Sequence, residues 1–322
     1  MKEVFILGAG FSKAVNSLMP SLTELSIKVK ERCGSDKLPP PLLNFGDNIE
    51  LWLTYLSQPQ PWLKETHNLQ NRALFIYMTE IIGQVLDEIT KEVVGQDCPD
   101  WFCSLMEWWH KNKSNVITFN YDTLIERAIP KALKGADIEM PDVYPVSFPN
   151  IMSRRATLPE GFSKPSFLLF KLHGSVNWYY SGASSFYGEV LYRGAVAKWG
   201  ESFDWENQSK SEASDKVPLI VPPTTEKATY FQHETLRQIW LKASAALDAA
   251  TRIYCVGYSL PPTDLGVRFF LQHSKYSTKV PLVIVNKDKS IVERYKDLLG
   301  NSYEIDETYA ATGISALVKN LT

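Results

Sequence analysis

An α/β fold built on a doubly wound parallel sheet is what the hydrophobic pattern of this chain predicts. Short apolar runs at 4–7, 116–118, 167–172, 219–221, 253–256 and 282–285 are rich in β-branched residues and nearly unbroken. Strands with both faces covered by helices have this composition, because neither face meets water. Amphipathic helical stretches separate several of the runs, notably 21–32 and 231–249. The first opens with Ser21-Leu22-Thr23-Glu24, a capping box in which Ser and Glu satisfy each other's backbone N–H groups. Gly8-Ala9-Gly10 follows the first run directly, as in a strand-to-helix turn. The expected class is therefore α/β, a Rossmann-like doubly wound parallel sheet with an inserted helical module.

The insertion is expected at 35–113, leaving 1–34 and 114–322 as the sheet domain. No parallel-strand pattern occurs in that stretch, whereas 74–93 repeats its apolar residues at the helical period. Trp101, Trp108 and Trp109 follow, and are expected to pack as core between the module and the sheet. A second excursion at 181–216 is rich in Ser, Gly and charge, and reads as a lid or a peripheral loop.

Composition narrows the function. With 322 residues, 44% of them hydrophobic, the chain can bury a full core. A net charge of −2 offers no overall electrostatic case for nucleic acid or an anionic membrane, so a small molecule is the expected partner. Cys33, Cys98, Cys103 and Cys255 form no C-x-x-C pair and match no zinc-ligand spacing, so no metal is expected. They read as buried thiols of a reducing compartment. The first apolar run is too short for a signal peptide or a membrane span, and a cytoplasmic protein is expected.

Three strand-end loops carry the chemistry: Gly8-Ala9-Gly10-Phe11-Ser12, Thr118-Phe119-Asn120-Tyr121-Asp122 and His173-Gly174-Ser175. In an open parallel sheet, ligands sit beyond the carboxyl ends of the strands, where such loops converge. Gly8 and Gly10 either let backbone approach a phosphate or simply form a sharp turn. The dehydrogenase fingerprint is broken, since Lys13 stands where its third Gly belongs, and no P-loop sequence exists. Asp122 can cap the helix that follows. The Asn120 amide suits a water or a ribose hydroxyl. His173 can serve as a base or as a satisfied core group, while His67, His110, His233 and His273 read as surface or packing residues.

Together with Gly257-Tyr258-Ser259 and Val285-Asn286, these loops occur in the order seen in sirtuin-type NAD-binding domains, which the chain resembles over nearly its whole length. It lacks the zinc-binding cysteines of deacylating sirtuins and has Met19-Pro20-Ser21-Leu22 where those carry a Phe-Arg-Gly turn. Thr-x-Asn-Tyr-Asp, His-Gly-Ser with Trp178 beyond it, and Val221-Pro222-Pro223 are more similar to sirtuin-like proteins of bacterial antiphage systems.

That resemblance implies hydrolysis of NAD to nicotinamide and ADP-ribose, with NAD as substrate. It implies Asn120 and His173 as the catalytic pair, and places Thr118 and Gly8 in the cofactor-binding loops. Ser12 and the amides of Ala9, Gly10 and Phe11 would hold the pyrophosphate, with Asp122 near the nicotinamide ribose or carboxamide. Gly257 and Ser259 would meet the phosphate or adenosine ribose, and Asn286 the adenosine ribose. Such an activity implies restraint, released by homo-oligomerisation or a regulatory partner protein. A protein deacylase, an ADP-ribosyltransferase and a non-catalytic NAD or ADP-ribose sensor are the alternatives.

Overall fold

The computed structural model describes residues 2–34, 38–147, 149–152, 165–182, 189–224, 227–231, 233–273 and 279–321. The chain runs β1 (Glu3–Leu7), α1 (Ala9–Val15), α2 (Leu22–Cys33), α3 (Pro40–Leu43), α4 (Ile49–Ser57), α5 (Glu65–Val94), α6 (Asp100–Asn112), β2 (Asn115–Thr118), α7 (Leu124–Ala132) and α8 (Met140–Val143). It continues through β3 (Leu168–Lys171), β4 (Gly174–Tyr180), β5 (Tyr192–Arg193), α9 (Asp204–Glu212), β6 (Val217–Ile220), α10 (Ala228–Phe231), α11 (Glu234–Asp248) and β7 (Arg252–Val256). The last elements are α12 (Leu265–His273), β8 (Val280–Val285), α13 (Ile291–Leu299), β9 (Tyr303–Asp306) and α14 (Ile314–Leu321). None of the described helices is long and apolar enough to cross a membrane.

The fold is α/β. A six-stranded parallel sheet has the order β3-β2-β1-β7-β8-β9, so the direction of winding reverses between β1 and β7. This is the doubly wound arrangement expected, and its switch point lies at β1/β7. Val4, Phe5, Ile6 and Leu7 are fully buried, as a central strand covered on both faces requires. Phe5 stacks on Tyr254 at 4.5 Å and meets Trp109 edge-on at 5.5 Å. Trp101, Trp108 and Trp109 all pack into or against this core, as their clustering suggested.

The run at 219–221 departs from its expected place. β6 joins β4 and β5 in a separate sheet and pairs antiparallel with β4. Gly174 is the reason. At φ +82° it reverses the chain directly after His173, and a Cβ there would lie 2.0 Å from the Leu219 carbonyl oxygen. A continuous apolar run cannot distinguish that arrangement from a parallel strand.

A second core lies outside the parallel sheet. Leu25 and Val29 of α2, Trp52 and Leu53 of α4 and Met78, Ile82 and Leu86 of α5 close on Val176 of β4 and Ile220 of β6. The 30-residue α5 joins the two cores, since Val93 and Val94 at its far end belong to the first. α6 packs its buried face, including Phe102 and Trp109, into the sheet core.

Residues 183–188 of the 181–216 excursion lie outside the described residues. Its later part is anchored by charge. Glu206 of α9 is fully buried and meets Arg127 of α7 at 2.7 Å, while Lys210 pairs with Asp87 at 2.6 Å. Burial acts to raise the Glu206 carboxyl, but the Arg127 guanidinium prevails and holds it at about 2. None of the four cysteines forms a disulfide, and the sulfurs of Cys98 and Cys103 lie 3.5 Å apart.

Removing one member of the Arg127–Glu206 pair strands the other charge in the interior. E206A is expected to cost about 3–5 kcal/mol, and the double variant R127M/E206L to recover most of that loss. Urea titration followed by tryptophan fluorescence measures both. Equal losses in the single and double variants would show that the pair does not act as a unit.

Candidate active site

At the switch point the backbones of two strand-end turns touch. The Gly8 amide donates to the Val256 carbonyl at 3.1 Å, and the Gly10 amide to the Gly257 carbonyl at 2.9 Å. Gly257 has φ +62°, and a Cβ on it would stand 2.2 Å from the Phe11 nitrogen. Gly8 and Gly257 therefore have a structural reason independent of any phosphate. The Gly10 amide is committed to Gly257, and the Phe11 amide to the Gly8 carbonyl at 2.9 Å. Among the described residues, the Ala9 amide has no backbone partner and remains as a donor in this turn.

A cavity of about 280 Å³ opens beside this contact. Gly8, Ala9, Gly10, Ser12, Asn120, Asp122, His173, Gly257 and Ser259 line it. Loops distant in sequence thus converge at the carboxyl ends of β1, β2, β3 and β7. Phe11, Thr118 and Asn286 are placed otherwise. Phe11 is buried against Trp101, Phe102 and Trp109. Thr118 is buried and supports the loop, its hydroxyl accepting from the Asn120 amide nitrogen at 3.1 Å. Asn286 lies beyond the cavity, where its Oδ1 accepts from the Asp288 backbone N–H at 3.0 Å.

The Asn120 side chain is locked. Its Nδ2 donates to the Gly8 carbonyl and to Ser12 Oγ, each at 2.9 Å. Because a carbonyl can only accept, the NH2 end must face Gly8, leaving Oδ1 as the free end of the amide. Ser12 Oγ in turn donates a hydrogen bond to Asp122 Oδ2 at 2.7 Å, and Asp122 Oδ1 accepts from the Leu124 N–H at 3.2 Å. Asp122 lies one residue before Thr123, the N-cap of α7, so it satisfies the first helical N–H without being the cap residue, and it also orients Ser12 and, through it, Asn120. Behind this chain, Lys171 donates to the Asp122 carbonyl and pairs with Glu126 at 2.9 Å in the interior. Burial raises the Asp122 carboxyl, against the attraction of Lys171 and the Ser12 hydrogen bond.

His173 lies 5% exposed in the cavity wall, ringed by Phe119, Tyr121 and Trp240. Its Nε2 is buried and has no hydrogen-bond partner. Burial, and then repulsion from Lys227, push its pKa down to about 3, with Asp264 opposing. The imidazole is therefore neutral at physiological pH.

Other lining residues were not legible as site residues in the sequence. Lys227 and Asp264 form a buried pair at 2.8 Å, and Tyr258 donates to the second Asp264 oxygen at 3.0 Å. Glu50 arrives from α4 and accepts from the Thr263 hydroxyl at 2.6 Å. No periodicity marks these positions, because each lies in a loop or at a helix start; a buried-looking acidic residue in the Pro261-Pro262-Thr263-Asp264 turn was the nearest signal. No group of three or more His, Cys, Asp or Glu side chains suited to a metal occurs among the described residues.

No protein-family model matches the chain, and no curated protein matches it significantly. Among solved structures, one described as "Structural Basis for the Mechanism and Regulation of Sir2 Enzymes" aligns with 99% of this chain and 90% of its own, at 11% identity and a TM-score of 0.43.

The buried His173 has a consequence for acid stability. In the unfolded chain it gains a proton near pH 6.5, whereas in the folded protein it does so only near 3. Below pH 6.5 the unfolded state binds the extra proton, so stability falls as pH falls, by up to about 1.4 kcal/mol per pH unit from this group. His233, also depressed by burial, adds to the same trend. H173F should have a shallower loss between pH 6.5 and 4.5 in urea titrations, and identical slopes would show that His173 titrates normally.

Proposed function

We propose that this protein hydrolyses NAD at the nicotinamide–ribose bond, giving nicotinamide and ADP-ribose. The observation that carries this reading is one cavity lined both by His173, a neutral imidazole, and by Asn120, a carboxamide fixed by its NH2 end. Both groups accept hydrogen bonds from hydroxyls, and the ribose diol and a water molecule supply them. The volume suits the nicotinamide–ribose end of the dinucleotide, lying near the lower bound of small-molecule sites, about 300–1,000 Å³. The Ala9 amide, at the start of the turn, is a donor left for phosphate oxygens.

The chemistry needs little more. When the C1′–N1 bond breaks, its electron pair goes to the ring nitrogen and nicotinamide leaves neutral, so no acid has to protonate it. The sugar becomes an oxocarbenium-like cation, and water adds to C1′ and loses a proton. Asn120 Oδ1, held by Gly8 and Ser12, orients the water or a ribose hydroxyl. The His173 imidazole accepts the hydrogen bond of the other and carries the proton away, with the negative charge of Asp264 favouring the imidazolium formed and the Lys227 ammonium opposing it. The locked amide and the dry wall need no rearrangement during the reaction, and such preorganisation lowers the barrier.

A role in antiphage defence, and restraint by self-assembly or a regulatory partner protein, belong to the same proposal. They rest on the sequence resemblance. Specific activity that rises with protein concentration, or on adding a partner chain, would support restraint; full activity of the lone chain at every concentration would contradict it.

N120A and H173A are each expected to lower nicotinamide release by at least about 100-fold, the lower range for loss of a positioned proton acceptor. Chromatography of NAD digests measures this, with thermal unfolding as the check on folding. Wild-type rates in both well-folded variants would rule out the proposal.

A further inference from the structure

Among the described residues, the cavity wall carries three carboxylates, Glu50, Asp122 and Asp264, against a single ammonium, that of Lys227. Their hydrogen bonds differ in one respect. Both oxygens of Asp122 are occupied, by Ser12 and the Leu124 amide, and both of Asp264, by Lys227 and Tyr258. The one wall ammonium is thereby committed to Asp264. Glu50 Oε2 is held by the Thr263 hydroxyl at 2.6 Å, while no donor to Oε1 occurs among the described residues. Glu50 thus presents a fixed carboxylate with one oxygen unanswered, in a cavity that His173 also lines.

The same cavity is lined by apolar side chains as well, among them Leu25 of α2, Leu86 of α5 and Met19. A carboxylate set among such surfaces attracts a cation more strongly than it would in water. A compact, strongly hydrated ammonium would lose its water against these side chains, whereas a flat ring with delocalised positive charge satisfies apolar wall and carboxylate together. Burial and repulsion from Asp264 raise the Glu50 carboxyl, against the Thr263 hydrogen bond and Lys227, and an incoming cation would act in the opposite direction.

We propose that Glu50, carried into the site by the inserted helices, is a specificity residue that selects a positively charged N-alkylated pyridinium ring over a neutral one. The inference rests on the NAD reading above, in which that ring is the oxidised nicotinamide. Glu50 is not a catalytic residue on this view. During bond cleavage the positive charge leaves the ring for the sugar, so a carboxylate beside the ring stabilises bound substrate more than the transition state. Its loss therefore weakens binding without slowing the bound complex, a signature that general damage to the site does not produce.

The test uses the full chain, with wild type, E50Q, E50D and T263V compared in NAD turnover and in calorimetric binding of two probes, cationic N-methylnicotinamide and neutral nicotinamide. E50Q is expected to raise KM for NAD and weaken N-methylnicotinamide by about tenfold each, with kcat undiminished and nicotinamide binding unchanged. T263V should shift the same quantities less, and E50D should retain the preference for the cation. Equal effects on both probes, no effect on either, or a collapse of kcat at constant KM would overturn the proposal. Wild-type protein that binds N-methylnicotinamide through Glu50 but releases no nicotinamide from NAD would remove the hydrolase reading and leave the ring selection standing.

Discussion

The organisation of the site depends on a contact between two pieces of backbone. The turns after β1 and β7 meet at separations that admit no side chain on Gly8 or Gly257, and their amides and carbonyls bond across the switch point. This fixes the direction of the Gly8 carbonyl, and the Gly8 carbonyl fixes Asn120. From Asn120 the order passes to Ser12 and Asp122, and from Asp122 to the interior through Lys171 and Glu126. A polar chain of this kind is stable in a low-dielectric setting because each of its donors has an acceptor. His173 differs: it lines the cavity, and its buried Nε2 has no partner in the network.

The second sheet completes the site from the other side. Tyr121, next to Asn120, donates to the Val221 carbonyl at 2.6 Å, and its own carbonyl accepts from the Val176 amide at 3.1 Å. The Asn120 loop is therefore stapled between the parallel sheet that carries it and the antiparallel pair that follows His173. Gly174 makes the closure possible by turning the chain back at once. One glycine turn thus explains both the position of His173 and the reassignment of β6.

Much of this was legible in the sequence. Central strands with no water-facing side leave continuous apolar runs, so β1, β2, β7 and β8 were marked clearly, and the Ser21–Glu24 capping box marked the start of α2. The convergence of Asn120, His173 and the first glycine turn followed from strand-end placement. β4 and β9 were not visible. β4 mixes Ser, Asn and aromatic residues, and β9, an edge strand, alternates Tyr303 and Ile305 with Glu304 and Asp306, too short a pattern to separate from a turn. Glu50, Lys227 and Asp264 were equally hidden, because ionic groups that meet across more than thirty residues leave no local periodicity. Nor could the sequence show that the Gly10 and Phe11 amides are already engaged, since hydrogen-bond occupancy is a property of the folded backbone.

The division of hydrophobic contacts between two cores bears on how the molecule could be shortened. Helices α4 and α5 contribute Glu50 and Leu86 to the cavity wall, and they cover Leu25, Val29, Val176 and Ile220. Excising that stretch would strip one side of the pocket and leave an oily face on the remainder, inviting aggregation. A minimal domain consisting of the parallel sheet and its flanking helices is therefore not a workable truncation: the appended helices are a wall of the same room.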